Sequence, residues 1–325
     1  TIAGSDSSGG AGIQADLKTF SASGVHGLCA VTCVVAETPK VVSEIHPVPP
    51  FILQQQIRLL LASYPIGALK TGMLFSKAHI VAVCELLGDC NIPIVVDPVM
   101  VASTGDPLLE ESALDAISER LLPLATIITP NLPEAGILLG RPVLTLDEQE
   151  AAAHELAEKF SCACYLKGGH LEGTQEHRDL LVQNGKLEAF SAPHLDLPST
   201  HGTGCTLSAS MTAELAKGHP LSEAAAHSNA FTHRALKDSR SWKLQKALKF
   251  GTSIKISDLE IAITYERVLT LLMLKFILPF LSLLLSMLTH CMLVGFVQVP
   301  ALITKSATST FVERAHSLAR ITSGS

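Results

Sequence analysis

The residues His201-Gly202-Thr203-Gly204-Cys205 run directly into a stretch of helical composition, residues 206–217. Glycines two apart let the backbone turn tightly and approach a ligand closely. The helix start behind them offers N–H groups without intrahelical partners and the positive end of the helix dipole. Gly202, Thr203 and Gly204 therefore predict an anion hole, suited to a phosphate whose charge grows during transfer. Cys205 sits where the same field is expected to lower the pKa of a thiol. A plain turn before a helix, with a small buried cysteine, accounts for the same five residues, so the rest of the chain must decide.

Five further segments carry chemistry. Gly4-Ser5-Asp6-Ser7-Ser8-Gly9-Gly10-Ala11-Gly12 follows an apolar start and opens a helix. Gly10-Ala11-Gly12-Ile13-Gln14-Ala15 formally fits the dinucleotide fingerprint, but Glu37, near the distance at which that motif needs its acidic residue, precedes a Thr38-Pro39 loop. The chain holds no Walker motif. The loop from Gly4 to Gly12 is expected to bind a small substrate through its backbone, with Asp6 as a polar anchor. Asp97 ends the apolar run Val95-Val96 before Pro98, where a carboxylate points into the crevice of an α/β fold and suits Mg2+. Lys167, before Gly168-Gly169-His170, ends another apolar run and can neutralise a transferring phosphate. Asn131 and Glu134 stand one turn apart at a helix start, and on spacing alone they read as a cap. Met73, in Lys70-Thr71-Gly72-Met73-Leu74, is either a soft wall for a flat ring or a core methionine.

The elements that must position these groups alternate along the first 240 residues. Short β-rich runs fall at 27–35, 66–70, 94–97, 126–129 and 162–167. Helical patterns fall at 12–23, 51–63, 78–87, 110–121, 133–139, 146–160, 203–217 and 221–237. This alternation predicts an α/β fold with a central, mostly parallel sheet covered by helices on both faces. Residues 179–192 differ: two strand-like runs meet at Asn184-Gly185, a strong hairpin signal, and predict an antiparallel addition at the sheet edge. The opening Thr1-Ile2-Ala3 reads as the end of a first strand that is only partly present.

Composition narrows the class. The chain of 325 residues is 47% apolar and 17% charged, with a net charge of −6 and no long basic run, which argues against nucleic-acid binding. Its 8 cysteines are scattered through apolar stretches, as suits free thiols in a reducing, cytoplasmic compartment. From about residue 241 the character changes. Residues 276–304 carry no charge and exceed the roughly 20 residues that cross a bilayer. That segment of the 241–325 tail reads as a membrane anchor, as a buried helix pair, or as sequence foreign to the natural product.

Taken in order, Ala3-Gly4-Ser5-Asp6, the run from Gly9 to Lys18, Lys70-Thr71-Gly72-Met73-Leu74, Asp97-Pro98-Val99-Met100, Thr129-Pro130-Asn131-Leu132-Pro133-Glu134, Leu166-Lys167-Gly168-Gly169-His170 and residues 201–206 resemble hydroxymethylpyrimidine/phosphomethylpyrimidine kinase of the ribokinase-like superfamily. The resemblance spans residues 1–240 and implies a three-layer ribokinase-like sandwich. It implies ATP- and Mg2+-dependent phosphorylation of 4-amino-5-hydroxymethyl-2-methylpyrimidine and then of its monophosphate, in thiamine biosynthesis, by a homodimer. Pyridoxal kinase is the alternative on the same scaffold, and a catalytically impaired relic of the kinase is another. By the resemblance, Cys205 takes the position of the catalytic base, where many ribokinase-like enzymes hold Asp. Asn131 and Glu134 serve phosphate and Mg2+, Lys167 lies on the nucleotide side, and Asp16 and Met73 line the pyrimidine side with the 4–12 loop. Two departures stand out. Glu37, in Ala36-Glu37-Thr38-Pro39, replaces the Gln that in the family pairs with the pyrimidine edge. The family's Gly-rich segment beside the nucleotide is not visible after Lys237.

Overall fold

Strand pleating sorts the apolar residues of this chain onto two faces, and helices cover both. The computed structural model describes residues 1–100, 112–169, 176–193, 195, 201–242 and 245–247. The parallel strands are β1 (Ile2–Ala3), β2 (Ala30–Val31), β5 (Leu69–Thr71), β6 (Ile94–Val96), β7 (Ile127–Ile128) and β8 (Ala163–Leu166); β9 (Glu176–Gln183) and β10 (Lys186–Pro193) add antiparallel at one edge. The eight strands lie in the order β10-β9-β8-β7-β6-β5-β1-β2.

Alternate residues of these strands point to opposite faces. Val95, Ile127, Ala163, Tyr165 and Leu181 pack beneath α7 (Thr203–Ala216) and α8 (Leu221–Lys237), against Leu207, Met211, Leu215 and Leu221. Their sequence neighbours Ile94, Val96, Ile128, Cys164, Leu166, Leu180 and Val182 face the other way. There they meet Leu53 and Ile57 of α2 (Pro50–Ser63), Ile80 and Val83 of α3 (Lys77–Leu87), Leu138 of α5 (Leu132–Leu139) and Leu156 of α6 (Leu146–Phe160). Helix α1 (Gly12–Ala22) joins the first layer by packing Phe20 against Ala209 and Ala213 of α7. The result is the expected three-layer sandwich with a mostly parallel sheet.

The edge hairpin turns at the expected dipeptide. Asn184 and Gly185 both have positive φ, 50° and 74°, the conformation that a two-residue turn matched to strand twist requires. Two expectations change. Residues 27–35 are not one strand: β2 joins the sheet, and the chain then leaves it as β3 (Cys33–Thr38), which pairs antiparallel with β4 (Val41–Pro47) in a separate ribbon. The break follows a tertiary contact, the Thr32 hydroxyl donating to the Met73 carbonyl at 2.8 Å. Beyond it Cys33 and Val35 turn inward onto Met73 while Val34 stays exposed. The helix expected over 110–121 is described only from α4 (Ala113–Ala116), which widens into a π turn over Ile117–Leu121.

The 241–325 tail, with its apolar segment 276–304, lies outside the described residues except for 241–242 and 245–247. Among the described residues no helix is long and apolar enough to cross a membrane.

Candidate active site

Parallel strands deliver their carboxyl ends to one edge of the sheet, and the sequence motifs converge there. A cavity of about 300 Å³ is lined by Gly4 and Gly12 after β1, Lys70, Gly72 and Met73 at β5, Asp97 after β6, Asn131 and Glu134 after β7, Lys167 after β8, and His201, Gly202, Gly204 and Cys205 at the start of α7. Asp16 of α1 and Glu37 of the ribbon complete it. A second cavity, about 360 Å³, lies between α1, α2 and α7 and is larger. None of the strand-end carboxylates or lysines lines it, so the smaller cavity is the chemical one.

The centre of the site is a charged network. Lys167 Nζ donates to Asp97 Oδ1 at 2.9 Å and stands 4.0 Å from Glu134 Oε2. Thr129 and Ser208 hydroxyls donate to the two oxygens of Asp97, each at 3.2 Å. Burial works against the charged form of Lys167, but Asp97 and Glu134 outweigh it and raise its pKa. Burial likewise opposes ionisation of Asp97, and Lys167 and Lys70 overcome it, lowering its pKa. Glu134 is different: burial dominates and pushes it up to about 7, against Lys167 and with help from Asp97.

Asn131 and Glu134 form a helix cap and also line the cavity. Asn131 Oδ1 accepts the Glu134 N–H and Glu134 Oε2 accepts the Asn131 N–H, each at 2.8 Å, which closes a capping box on α5. The same box aims the Glu134 carboxylate toward Lys167.

The glycines of residues 202–205 have steric reasons. Gly202 has φ +82°, and a β-carbon there would fall 1.8 Å from the Gly10 carbonyl oxygen. A β-carbon on Gly204 would stand 3.2 Å from Lys167 Nζ and 3.8 Å from Asp97 Oδ2. The start of α7 therefore lies flush against both the 4–12 loop and the Lys167–Asp97 pair. Asp6 is the organiser of that loop: it accepts from Ser8, Gly10 and Ala11 N–H groups and faces His201 Nε2 at 3.0 Å. Burial opposes its ionisation, yet the hydrogen bonds from His201 and Ser8 hold its pKa at about 2. Asp6 and Thr203 are not among the described residues lining the cavity, so Asp6 anchors the loop rather than presenting itself to a ligand.

Cys205 departs from expectation. It is partly open to the cavity, but protein surrounds it, and burial pushes its pKa up to about 12. Lys70 opposes that rise, while Asp16 and Asp97 add to it. Loss of solvent wins over the helix field, so the expected lowering does not occur. Asp16 is fully buried and its Oδ1 accepts from Lys70 Nζ at 2.7 Å. Met73 is both wall and core, lining the cavity while packing on Cys33 and Val35.

Sequence reasoning gave no site role to Lys70, Thr129, His201 or Ser208. Lys70 carried a signal, a lysine closing an apolar strand as Lys167 does. Ser208 lies one helical turn beyond Gly204. Neither Thr129 nor His201 could be paired with Asp97 or Asp6 before the strand order was known.

A model of the phosphomethylpyrimidine kinase family matches residues 6–250. This chain belongs to the phosphomethylpyrimidine kinase family. Hydroxymethylpyrimidine/phosphomethylpyrimidine kinase of Haemophilus influenzae is 43% identical over 240 residues, which cover 73% of this chain and 89% of that protein. A crystal structure of phosphomethylpyrimidine kinase from Clostridium difficile 630 is 37% identical, with a TM-score of 0.64, covering 72% of this chain and 96% of that one. An ADP complex of Bacillus subtilis pyridoxal kinase is 35% identical, with a TM-score of 0.70, covering 77% and 95%. Phosphomethylpyrimidine kinases and pyridoxal kinases thus share this sandwich, and both place it within the ribokinase-like fold.

For a phosphomethylpyrimidine kinase family member, the donor set is coherent. Asp97 and Glu134 are hard oxygen ligands of the kind Mg2+ takes, they sit side by side beside a lysine, and the glycine-rich helix start faces them. These residues fit a magnesium-bound triphosphate.

Proposed function

We propose that this chain transfers the γ-phosphate of ATP to the hydroxymethyl oxygen of 4-amino-5-hydroxymethyl-2-methylpyrimidine, and then phosphorylates the resulting monophosphate, in thiamine biosynthesis. The observation that carries this reading is the placement of the Lys167–Asp97–Glu134 network against Gly204 at the start of α7. Phosphoryl transfer asks mainly for positioning and for charge stabilisation at the moving phosphoryl group, and this arrangement supplies both. The N–H groups of residues 202–205 and Lys167 hold the growing charge. Asp97 and Glu134 would hold Mg2+, which when bound offsets phosphate charge. Met73 walls one side of the flat ring and Glu37 faces its polar edge. Cys205, as thiolate, takes the proton of the attacking hydroxyl.

A pyridoxal kinase is the second reading, supported by the closeness of the B. subtilis fold and by Glu37 in place of the usual glutamine. Phosphorylation assays with ATP and Mg2+, run side by side on the hydroxymethylpyrimidine and on pyridoxal, test both. A higher kcat/KM for the pyrimidine is expected; a preference for pyridoxal would overturn the first reading, and turnover of neither would support the relic.

A further inference from the structure

A second cluster of metal-binding side chains lies away from the cavity. Glu214 stands near the end of α7, eleven residues beyond Thr203 and so about 16 Å along the helix from its start. His219 lies in the turn that follows, and His227 on α8. Glu214 Oε2 is 3.0 Å from His227 Nδ1 and 3.5 Å from His219 Nε2. All three donor atoms lie within 4.8 Å of one another.

These separations match a coordination polyhedron. Bonds of about 2.0–2.1 Å to a tetrahedral Zn2+ put neighbouring ligand atoms about 3.3 Å apart, and the two measured edges bracket that value. The outer groups match too. Lys217 Nζ holds the other carboxylate oxygen, Glu214 Oε1, at 2.6 Å, which leaves Oε2 as the single ligand atom. Glu223 Oε2 is 3.4 Å from His219 Nδ1; a proton kept on Nδ1 leaves the Nε2 lone pair for a metal, the carboxylate–histidine–metal arrangement. Access is open, since the His219 and His227 side chains are 37% and 54% exposed.

We infer that Glu214, His219 and His227 form a site for a divalent transition metal, with Zn2+ the best fit, that joins the end of α7 to α8 and keeps its remaining position open to solvent. Two imidazoles and one carboxylate favour Zn2+, Co2+ or Ni2+ over Mg2+, which prefers an all-oxygen shell. The magnesium of the kinase reaction therefore does not compete for it. On binding, His227 takes the tautomer with its proton on Nε2, so that its Nδ1 lone pair faces the metal beside Glu214 Oε2.

The test titrates Zn2+ alone into the full chain in excess Mg2+, against a chromogenic chelator, for the wild type and for H219Q, H227Q and the double variant. Both histidines are partly exposed and outside the catalytic cavity, so kinase turnover with Mg2+ in zinc-free buffer stays at the wild-type level and certifies the fold. The wild type is expected to bind one Zn2+ more than the double variant. Each single variant should weaken that site at least tenfold, and E223Q should weaken it by less, acting through His219. Co2+ at the same site should give visible d–d absorption without a thiolate charge-transfer band. Equal Zn2+ stoichiometry and affinity in the wild type and the double variant would overturn the proposal, as would a Co2+ d–d spectrum identical in the two.

Discussion

Cys205 and Glu37 both line the cavity, and the proposed reaction asks the most of these two side chains. Cys205 is a neutral thiol at ordinary pH, because burial carries its pKa to about 12. A base of that strength is rarely in its active form, and its thiolate fraction rises tenfold per pH unit. The expected consequence is a kcat/KM that climbs with pH between about 7 and 9. Cys205→Asp should flatten that climb, because a carboxylate is already ionised there. Cys205→Ala should cost a hundredfold or more in kcat, within the usual range for losing a proton acceptor, and leave ATP affinity unchanged. Rate profiles of the three proteins check this, and a flat wild-type profile would refute the base assignment. Glu37 titrates at about 7, since burial and the nearby Asp6 disfavour its charge more than His201 favours it. Below that pH it carries a proton and can donate to a ring nitrogen as an amide would; above it, it can only accept. The KM for the pyrimidine should therefore rise above pH 7 in the wild type, and E37Q should show a KM that does not change with pH.

At the scale of elements, the start of α7 is fixed by backbone that admits no side chain. Gly202→Ala would face left-handed strain of about 1–2 kcal/mol and, in addition, the Gly10 carbonyl oxygen 1.8 Å from the new β-carbon. The 4–12 loop must then move away from the helix start. Gly185 makes a control, with φ +74° and nothing within 4 Å of its β-carbon position. Urea denaturation should show Gly202→Ala losing clearly more stability than Gly185→Ala, and only the former should lose ATP binding; equal losses would mean the contact with Gly10 is unimportant. These elements also show what was legible in the sequence. Periodicity located α1, α2, α3, α5, α6, α7 and α8 nearly to the residue, and Asn184-Gly185 announced the β9–β10 hairpin. The β3–β4 ribbon was not legible, because the apolar run through 27–35 has no internal punctuation and breaks only where Thr32 meets Met73. In the site, the strand-end residues could be read one by one. Their pairing could not, since Asp97 and Lys167 are 70 residues apart and become partners only through the order of the strands. The rise in the Cys205 pKa was hidden for the same reason, as local motif gives the helix field but not the depth of burial.

For the whole molecule, the charged groups gathered at one sheet edge predict how stability follows pH. Glu37 and Glu134 have folded pKa values near 7, above the ordinary 4.5. A carboxylate raised on folding binds its proton more tightly in the native state, so stability is highest below 4.5 and falls as pH rises from there through 7. Asp6 works in the opposite sense. Its folded value of about 2 lies below the ordinary 3.8, so its contribution is present above 3.8 and is lost as pH falls toward 2. The two trends meet in the mildly acidic range, near pH 4 to 5, which should hold the stability maximum of the free protein. Thermal unfolding scanned from pH 3 to 8 without nucleotide measures it. The E37Q/E134Q double variant should lose most of the decline between pH 5 and 7, and Asp6→Asn should lose the acid limb. A wild-type stability that kept rising to pH 7 would show that these carboxylates do not resist ionisation in the empty cavity. A site that keeps two carboxylates reluctant to ionise while empty is one that stabilises them only when cations arrive, so Mg2+ with ATP should raise unfolding temperature more at pH 7.5 than at pH 5. That difference should vanish in the double variant, which ties the cost of the buried carboxylates to the charge of the ligand they face.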